Sequence, residues 1–116
     1  MIKAYSQSPG AFIDIGHLVA LVEAARAQMA GALDELVAKL ADASCSEADV
    51  DFGGLVKAAQ RLLELDDGDM ARMLKVSRPT IGRWIRGVSQ PHPLGRGAIF
   101  EALGGHARVK AKNLRS

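Results

Sequence analysis

The chain is poor in the residues that most often fix a small protein by covalent or metal chemistry. A single cysteine, Cys45, excludes an intrachain disulfide and fits a reducing compartment. Three histidines, His17, His92 and His106, lie far apart and form no zinc-ligand spacing. Aromatic residues make up only 4% of the chain, which leaves no row of rings on which single-stranded bases could stack. No apolar run approaches the ~18 residues of a membrane span. The segment Ala11 to Val22 is interrupted by Asp14 and His17, so neither a span nor a secretion signal is expected there. The expectation is a cytoplasmic protein. No nucleophile–base pair, paired carboxylate site, phosphate loop or metal-ligand set is visible, so no enzyme, cofactor or metal is expected.

The net charge of +2 conceals an uneven distribution. Residues 1–52 hold three basic and eight acidic side chains, a net of −5, and residues 53–116 hold twelve and five, a net of +7. Such a split points to one half that faces a polyanion and another with a different task, rather than to charges scattered over solvated faces.

The basic half centres on Met70 to Gly87, which reads as two short helices joined by a tight turn. Met70, Ala71 and Leu74 give the first an apolar face. Lys75-Val76-Ser77 connects them. Ser77 suits an N-cap, and Pro79 falls in the first turn, where a missing N–H costs little. Ile81, Trp84, Ile85 and Val88 then share one face, with Pro79, Gly82, Arg83 and Arg86 on or near the other. This spacing makes Trp84 a core residue rather than a base-stacking one. Gly87 supplies the stop. Between Arg72 and Arg86 lie five basic residues (Arg72, Lys75, Arg78, Arg83, Arg86) and no acidic one.

This segment resembles the lambda repressor-like helix-turn-helix family of the Cro and XRE type. The resemblance rests on Ala71, Val76-Ser77 and Thr80-Ile81-x-x-Trp84-x-x-Gly87, and covers about Gly53 to Leu103. The stretch Pro91-His92-Pro93-Leu94-Gly95-Arg96-x-Ala98-Ile99-Phe100-Glu101-Ala102-Leu103 is similar to small proteins of that kind from phages and mobile elements. Lys75 stands where the family usually has glycine; should the position need a positive φ, lysine is disfavoured there but not excluded. The resemblance also implies that Asp67 lies near Arg78, the first residue of the reading helix. Asp67 is therefore expected to hold that guanidinium toward a base, with plain helix capping as the other role for the acidic cluster.

The expected architecture is all-α: a lambda repressor-like helix-turn-helix domain preceded by a long N-terminal helix. Residues 1–14 form an irregular lead-in. Residues 15–43 form the long helix, its stripe of Ile15, Leu18, Val22, Ala25, Met29, Leu33, Leu36 and Leu40 advancing in steps of 3, 4, 3, 4, 4, 3, 4. At ~1.5 Å per residue it spans roughly 40 Å. Leu18, Val22, Ala25, Met29, Leu33, Leu36 and Leu40 are expected to pair with a second copy, the alternative being packing on the chain's own domain. A connector, Ala43 to Phe52, holds Cys45, expected to be inert because no basic neighbour activates it. The domain at 53–103 begins with a helix whose stripe is Leu55, Ala58, Ala59, Leu62, Leu63 and Leu65, capped by Asp51 or a neighbour. Asp66 and Asp69 resemble a capping box for the next. The last helix runs from Leu94 to Leu103, with Leu94, Ala98, Ile99, Ala102 and Leu103 closing the core against Leu62 and Trp84. Gly104-Gly105 ends the domain, and 104–116 is a basic flexible tail that either touches DNA or is merely solvated.

The expected partner is double-stranded DNA, with no membrane involved. Base-reading candidates are Arg78, Pro79, Thr80, Gly82 and Arg83: arginine donates twice to guanine, and glycine permits close approach. Backbone candidates are Lys57, Arg61, Lys75, Ser77, Arg86, Gln90, His92 and Arg96. A homodimer would place its reading helices ~34 Å apart on a palindromic operator. The resemblance implies a small repressor of phage or mobile-element type acting on its own promoter. Two alternatives are an antitoxin, whose acidic half would grip a toxin, and a protein adaptor that kept the fold.

Overall fold

The computed structural model describes residues 14–45 and 50–116. Apart from Asp14, the expected lead-in lies outside the described residues, as do Ser46, Glu47 and Asp49 of the connector. Five helices follow one another: α1 (Ile15–Cys45), α2 (Phe52–Leu63), α3 (Asp67–Leu74), α4 (Arg78–Ile85) and α5 (Pro93–Arg115). The described chain is all-α. None of its helices is long and apolar enough to cross a membrane.

The helix starts follow local chemistry. Asp51 caps α2, its Oδ1 accepting from the Gly54 N–H at 3.0 Å. Asp66 and Asp69 form a reciprocal capping box on α3. Ser77 caps α4, accepting from the Thr80 N–H with Pro79 in the first turn. His92 caps α5, its Nδ1 accepting from the Leu94 N–H at 3.2 Å. The ends of α2, α3 and α4 each close through a left-handed residue: Glu64 at φ 59°, Lys75 at φ 60° and Gly87 at φ 75°. Each is followed by a residue whose N–H reaches back five positions, Leu65 to Gln60, Val76 to Ala71 and Val88 to Arg83. Only one of the three is glycine, the residue that adopts this conformation without steric penalty.

An aromatic cluster joins three of the elements. The Phe52 ring meets Trp84 edge-on at 5.3 Å and Phe100 at 5.4 Å, within the range that stabilises aromatic pairs beyond area alone. Phe52, expected to end a connector, instead opens α2 and is buried. The buried stripe of α2 is Phe52, Val56, Ala59 and Leu63, with Leu55, Ala58, Leu62 and Leu65 at its margin. The approach of α2 to α4 is close: a Cβ on Gly53 would stand 2.4 Å from the Trp84 carbonyl oxygen.

The C-terminal part differs most from expectation. Gly104-Gly105 does not end the domain, because α5 runs through it to Arg115. Phe100, Leu103, Gly104, Ala107 and Ala111 lie buried along one side of α5, and small side chains there let α1 approach. The two helices are antiparallel, with Gly97 beside Ser44 and Arg115 paired with Asp34. They form the most extensive contact in the fold. Leu94, Ala98 and Ala102 are consequently exposed, not core, since the burial phase of α5 is set by Phe100 and Leu103. Val88 also lies outside, beyond the Gly87 stop.

This pairing corrects the expected dimer seam. Leu33, Leu36 and Leu40 are buried inside the chain, and Met29 is half-buried against the same core. Leu18, Val22 and Ala25 remain exposed.

Two glycines should respond in opposite senses to alanine. Gly53→Ala should lose about 1–3 kcal/mol in urea denaturation, because the added methyl has only backbone to displace. Gly105→Ala meets no atom within 4 Å and should gain about 1 kcal/mol through helix propensity. A stabilised Gly53→Ala would contradict the close approach, and an unresponsive Gly105 the continuous α5.

Candidate functional site

Helix α4 has two unlike sides. Ile81 and Trp84 are buried, at 0% and 5% exposure, while Arg78, Pro79, Arg83 and Arg86 are exposed. The aromatic cluster therefore fixes which side faces solvent. Asp67, Arg78, Pro79, Gly82, Arg83 and Arg86 line one shallow open depression on that side. Four of the five base-reading candidates thus share one surface, and Arg86, read as a backbone contact, joins them.

The arginines are not placed alike. Arg83 donates from Nη2 to Thr80 Oγ1 at 3.1 Å, and Thr80 Oγ1 lies 2.7 Å from Ser77 Oγ. A short polar chain thus runs from the cap of α4 to the guanidinium, and it joins Thr80 to the depression. The Arg86 guanidinium lies over Gly82, 3.1 Å from where a Cβ would sit. Gly82 consequently leaves room for a neighbouring arginine as well as for close approach from outside. Among the described residues neither Arg83 nor Arg86 has an acidic partner within 4.0 Å, so both cations face water.

Arg78 has a different setting. Its guanidinium lies over Gly68, with Nε and Nη2 at 3.2 and 3.3 Å from a Cβ built there. The expected Asp67–Arg78 pair is not formed. Asp67 Oδ1 instead accepts from Gln60 Nε2 at 2.7 Å, tying the start of α3 to α2. The acid that feels Arg78 is Asp66. Its carboxyl is held below the ordinary value, first by the Asp69 N–H and further by the charges of Arg78 and Arg72. Arg72 itself is paired with Asp69. Gln60 and Gly68 escaped the sequence reading; the one available hint was a glycine set between acids in Asp66-Asp67-Gly68-Asp69.

The other candidates stand outside the depression. Lys57 and Arg61 are exposed on α2, and Lys75 is exposed at the left-handed turn. Arg96 Nη1 donates to Gln90 Oε1 at 2.8 Å beside the start of α5. His92 uses Nδ1 as an acceptor in its cap. The cations expected in a flexible tail are partly engaged within the fold. Lys110 Nζ donates to the Leu62 carbonyl at 2.9 Å and sits 3.4 Å from Glu64, and Arg115 pairs with Asp34. Among the described residues no group of three His, Cys, Asp or Glu could hold a metal ion.

The depressed pKa of Asp66 carries a sign. A carboxyl whose pKa is lower folded than unfolded contributes stability above the unfolded value, and the contribution fades as pH falls through the folded one. Asp66→Asn keeps a capping side chain but removes the charge. It should flatten the loss of stability below about pH 4, measured as urea midpoint against pH; an unaltered acid limb would exclude the assignment. No family model, curated protein or solved structure matches the chain.

Proposed function

We propose that this protein is a sequence-specific double-stranded DNA-binding regulator of transcription, a repressor of phage or mobile-element type. In this reading α3 and α4 act as a lambda repressor-like helix-turn-helix, with α4 the helix that enters the major groove. The observation that carries the reading is the sidedness of α4. Ile81 and Trp84 are locked inward, and Arg78, Gly82, Arg83 and Arg86 share the solvent side of the same two turns.

Duplex DNA is the polyanion that suits this surface. Arginine presents a planar fork matching O6 and N7 of guanine, and an eight-residue helix fits the width of the major groove. Arg83, steadied by Thr80, and Arg78, laid against the first turn of α3, are the base readers. A side chain already held near its bound position loses less freedom on binding. Arg86, Ser77, Lys75, Gln90 and Arg96 hold the phosphates, and Lys57 and Arg61 add to the positive field. Repression follows from occupancy, since a protein seated on a promoter excludes polymerase.

Selection from a random duplex pool should yield a defined sequence. At that site Arg83→Ala should lose about 1–3 kcal/mol while binding to random duplex changes little. Arg86→Ala should weaken both about equally and lower the slope of log K against log salt. A pool that yields no preferred sequence, or an Arg83→Ala that weakens cognate and random DNA by the same factor, would reject base reading. Lys75→Gly separates fold from function. It relieves a left-handed lysine and should raise stability by up to about 1 kcal/mol, while DNA affinity falls across all sequences. Equal or tighter binding would remove Lys75 from the phosphate contacts.

A further inference from the structure

The apolar stripe of α1 is continuous, but α5 covers only its C-terminal half. The last residues of α5, Leu114 and Arg115 with Ser116 after them, share a recess with Glu23, Arg26 and Ala27 of α1. Beyond that point every described residue from Asp14 to Gln28 is exposed. The exposed part is not polar. Ile15 is 76% exposed, and Leu18, Val19, Leu21 and Val22 are each about half exposed. Ile15, Leu18 and Val22 lie on the same line as Leu33, Leu36 and Leu40, which α5 and the core bury. The charged residues of the tip, Asp14, His17, Glu23 and Arg26, leave the row Ile15, Leu18, Val22, Ala25 free of charge.

We infer that the tip of α1, from Ile15 to Ala25, is the surface on which a second copy of this chain docks, and that the two helices pair antiparallel. Two observations name the occupant. The row continues an interface already made within the chain, so it is shaped to receive one helix. Its spacing of 3, 4 and 3 residues is that of a helix–helix seam.

The direction follows from bulk. Each rod carries α2 to α5 toward its C-terminal end, with α5 on the very side the seam uses. Parallel tips would drive two copies of α5 into one space. Antiparallel tips point the two bodies away from each other. With the crossing near Ala20, ~1.5 Å per residue sets the two α4 surfaces on the order of 60 Å apart along the rods. That is nearer two turns of duplex than the single turn expected from the sequence. The pairing itself does not depend on the DNA-binding reading.

The experiment joins sedimentation to one distance. The full chain at ~50 μM should sediment as a dimer, and Leu18→Glu with Val22→Glu should sediment as a monomer that keeps the wild-type helix content. Both side chains lie outside the core, so folding should survive. Cys45 is exposed at the far end of α1 and is the sole cysteine. Spin labels on it should report a separation on the order of 70 Å in the wild-type dimer, against roughly 30 Å or less for parallel rods. A monomeric wild type, a double variant that still dimerises, or a short Cys45 distance would each overturn the proposal. A monomeric wild type in which residues 15–22 resist hydrogen exchange only while residues 1–13 are present would assign the face to the chain's own leader. Failure to bind any DNA by a chain that dimerises as described would count against the function proposed above and leave this pairing supported.

Discussion

The contact between Phe52 and its two aromatic neighbours holds the rest of the arrangement in place. Phe52 starts α2, Trp84 ends the buried side of α4, and Phe100 marks where α5 turns its apolar side toward α1. One ring thereby fixes the roll of α4 about its own axis. A helix of eight residues cannot hold its orientation through backbone hydrogen bonds alone, and short helices depend on tertiary packing. Rotating α4 by one residue would bury a guanidinium and expose an indole. The close fit of Gly53 against the Trp84 carbonyl adds a backbone contact to the aromatic one, so both the roll and the depth of α4 are set from α2.

How far the sequence discloses such a fold depends on whether the governing signal is local. Ser77, Asp66 and Asp51 act on N–H groups three positions away, and the caps were legible for that reason. Ile81 and Trp84 repeat within one short helix, so the two sides of α4 were legible as well. The end of α5 was not. Gly104-Gly105 is a stop in isolation, but here burial along Leu103, Ala107 and Ala111 against a helix some sixty positions earlier outweighs the propensity cost. The role of Phe52 was hidden in the same way. Its partners lie at positions 84 and 100, and nothing in its immediate neighbours distinguishes a connector from the first residue of a buried stripe. Asp67 shows a subtler limit: the acid was placed near the right elements, but a glutamine one helix upstream reached it first.

Charge is distributed by the same division. Two cations of the C-terminal segment are drawn into the fold, Arg115 onto Asp34 and Lys110 onto the Leu62 carbonyl near the end of α2, where the helix dipole favours a positive group. The Arg115–Asp34 pair holds the Asp34 carboxyl below its ordinary value, and it ties the end of α5 to the covered part of α1. Arg83 and Arg86 are left without such partners among the described residues. A surface whose cations are already neutralised has little field to offer a polyanion; Arg83 and Arg86 keep their charge open to solvent, as do Lys57, Arg61, Lys75, Arg108 and Lys112 among the described residues.

The single uninterrupted rod of α1 carries a consequence for how this chain can tolerate change. Its covered and open halves share one face only because no residue is added or lost between them. One extra residue near Gln28 would turn the open half by about 100° and shift it by about 1.5 Å relative to the covered half. Lengthening by seven or eleven residues would nearly restore the phase, whereas intermediate lengths would not. On the pairing inferred above, the middle of α1, without any part in the α4 surface, is constrained in length more strictly than in composition.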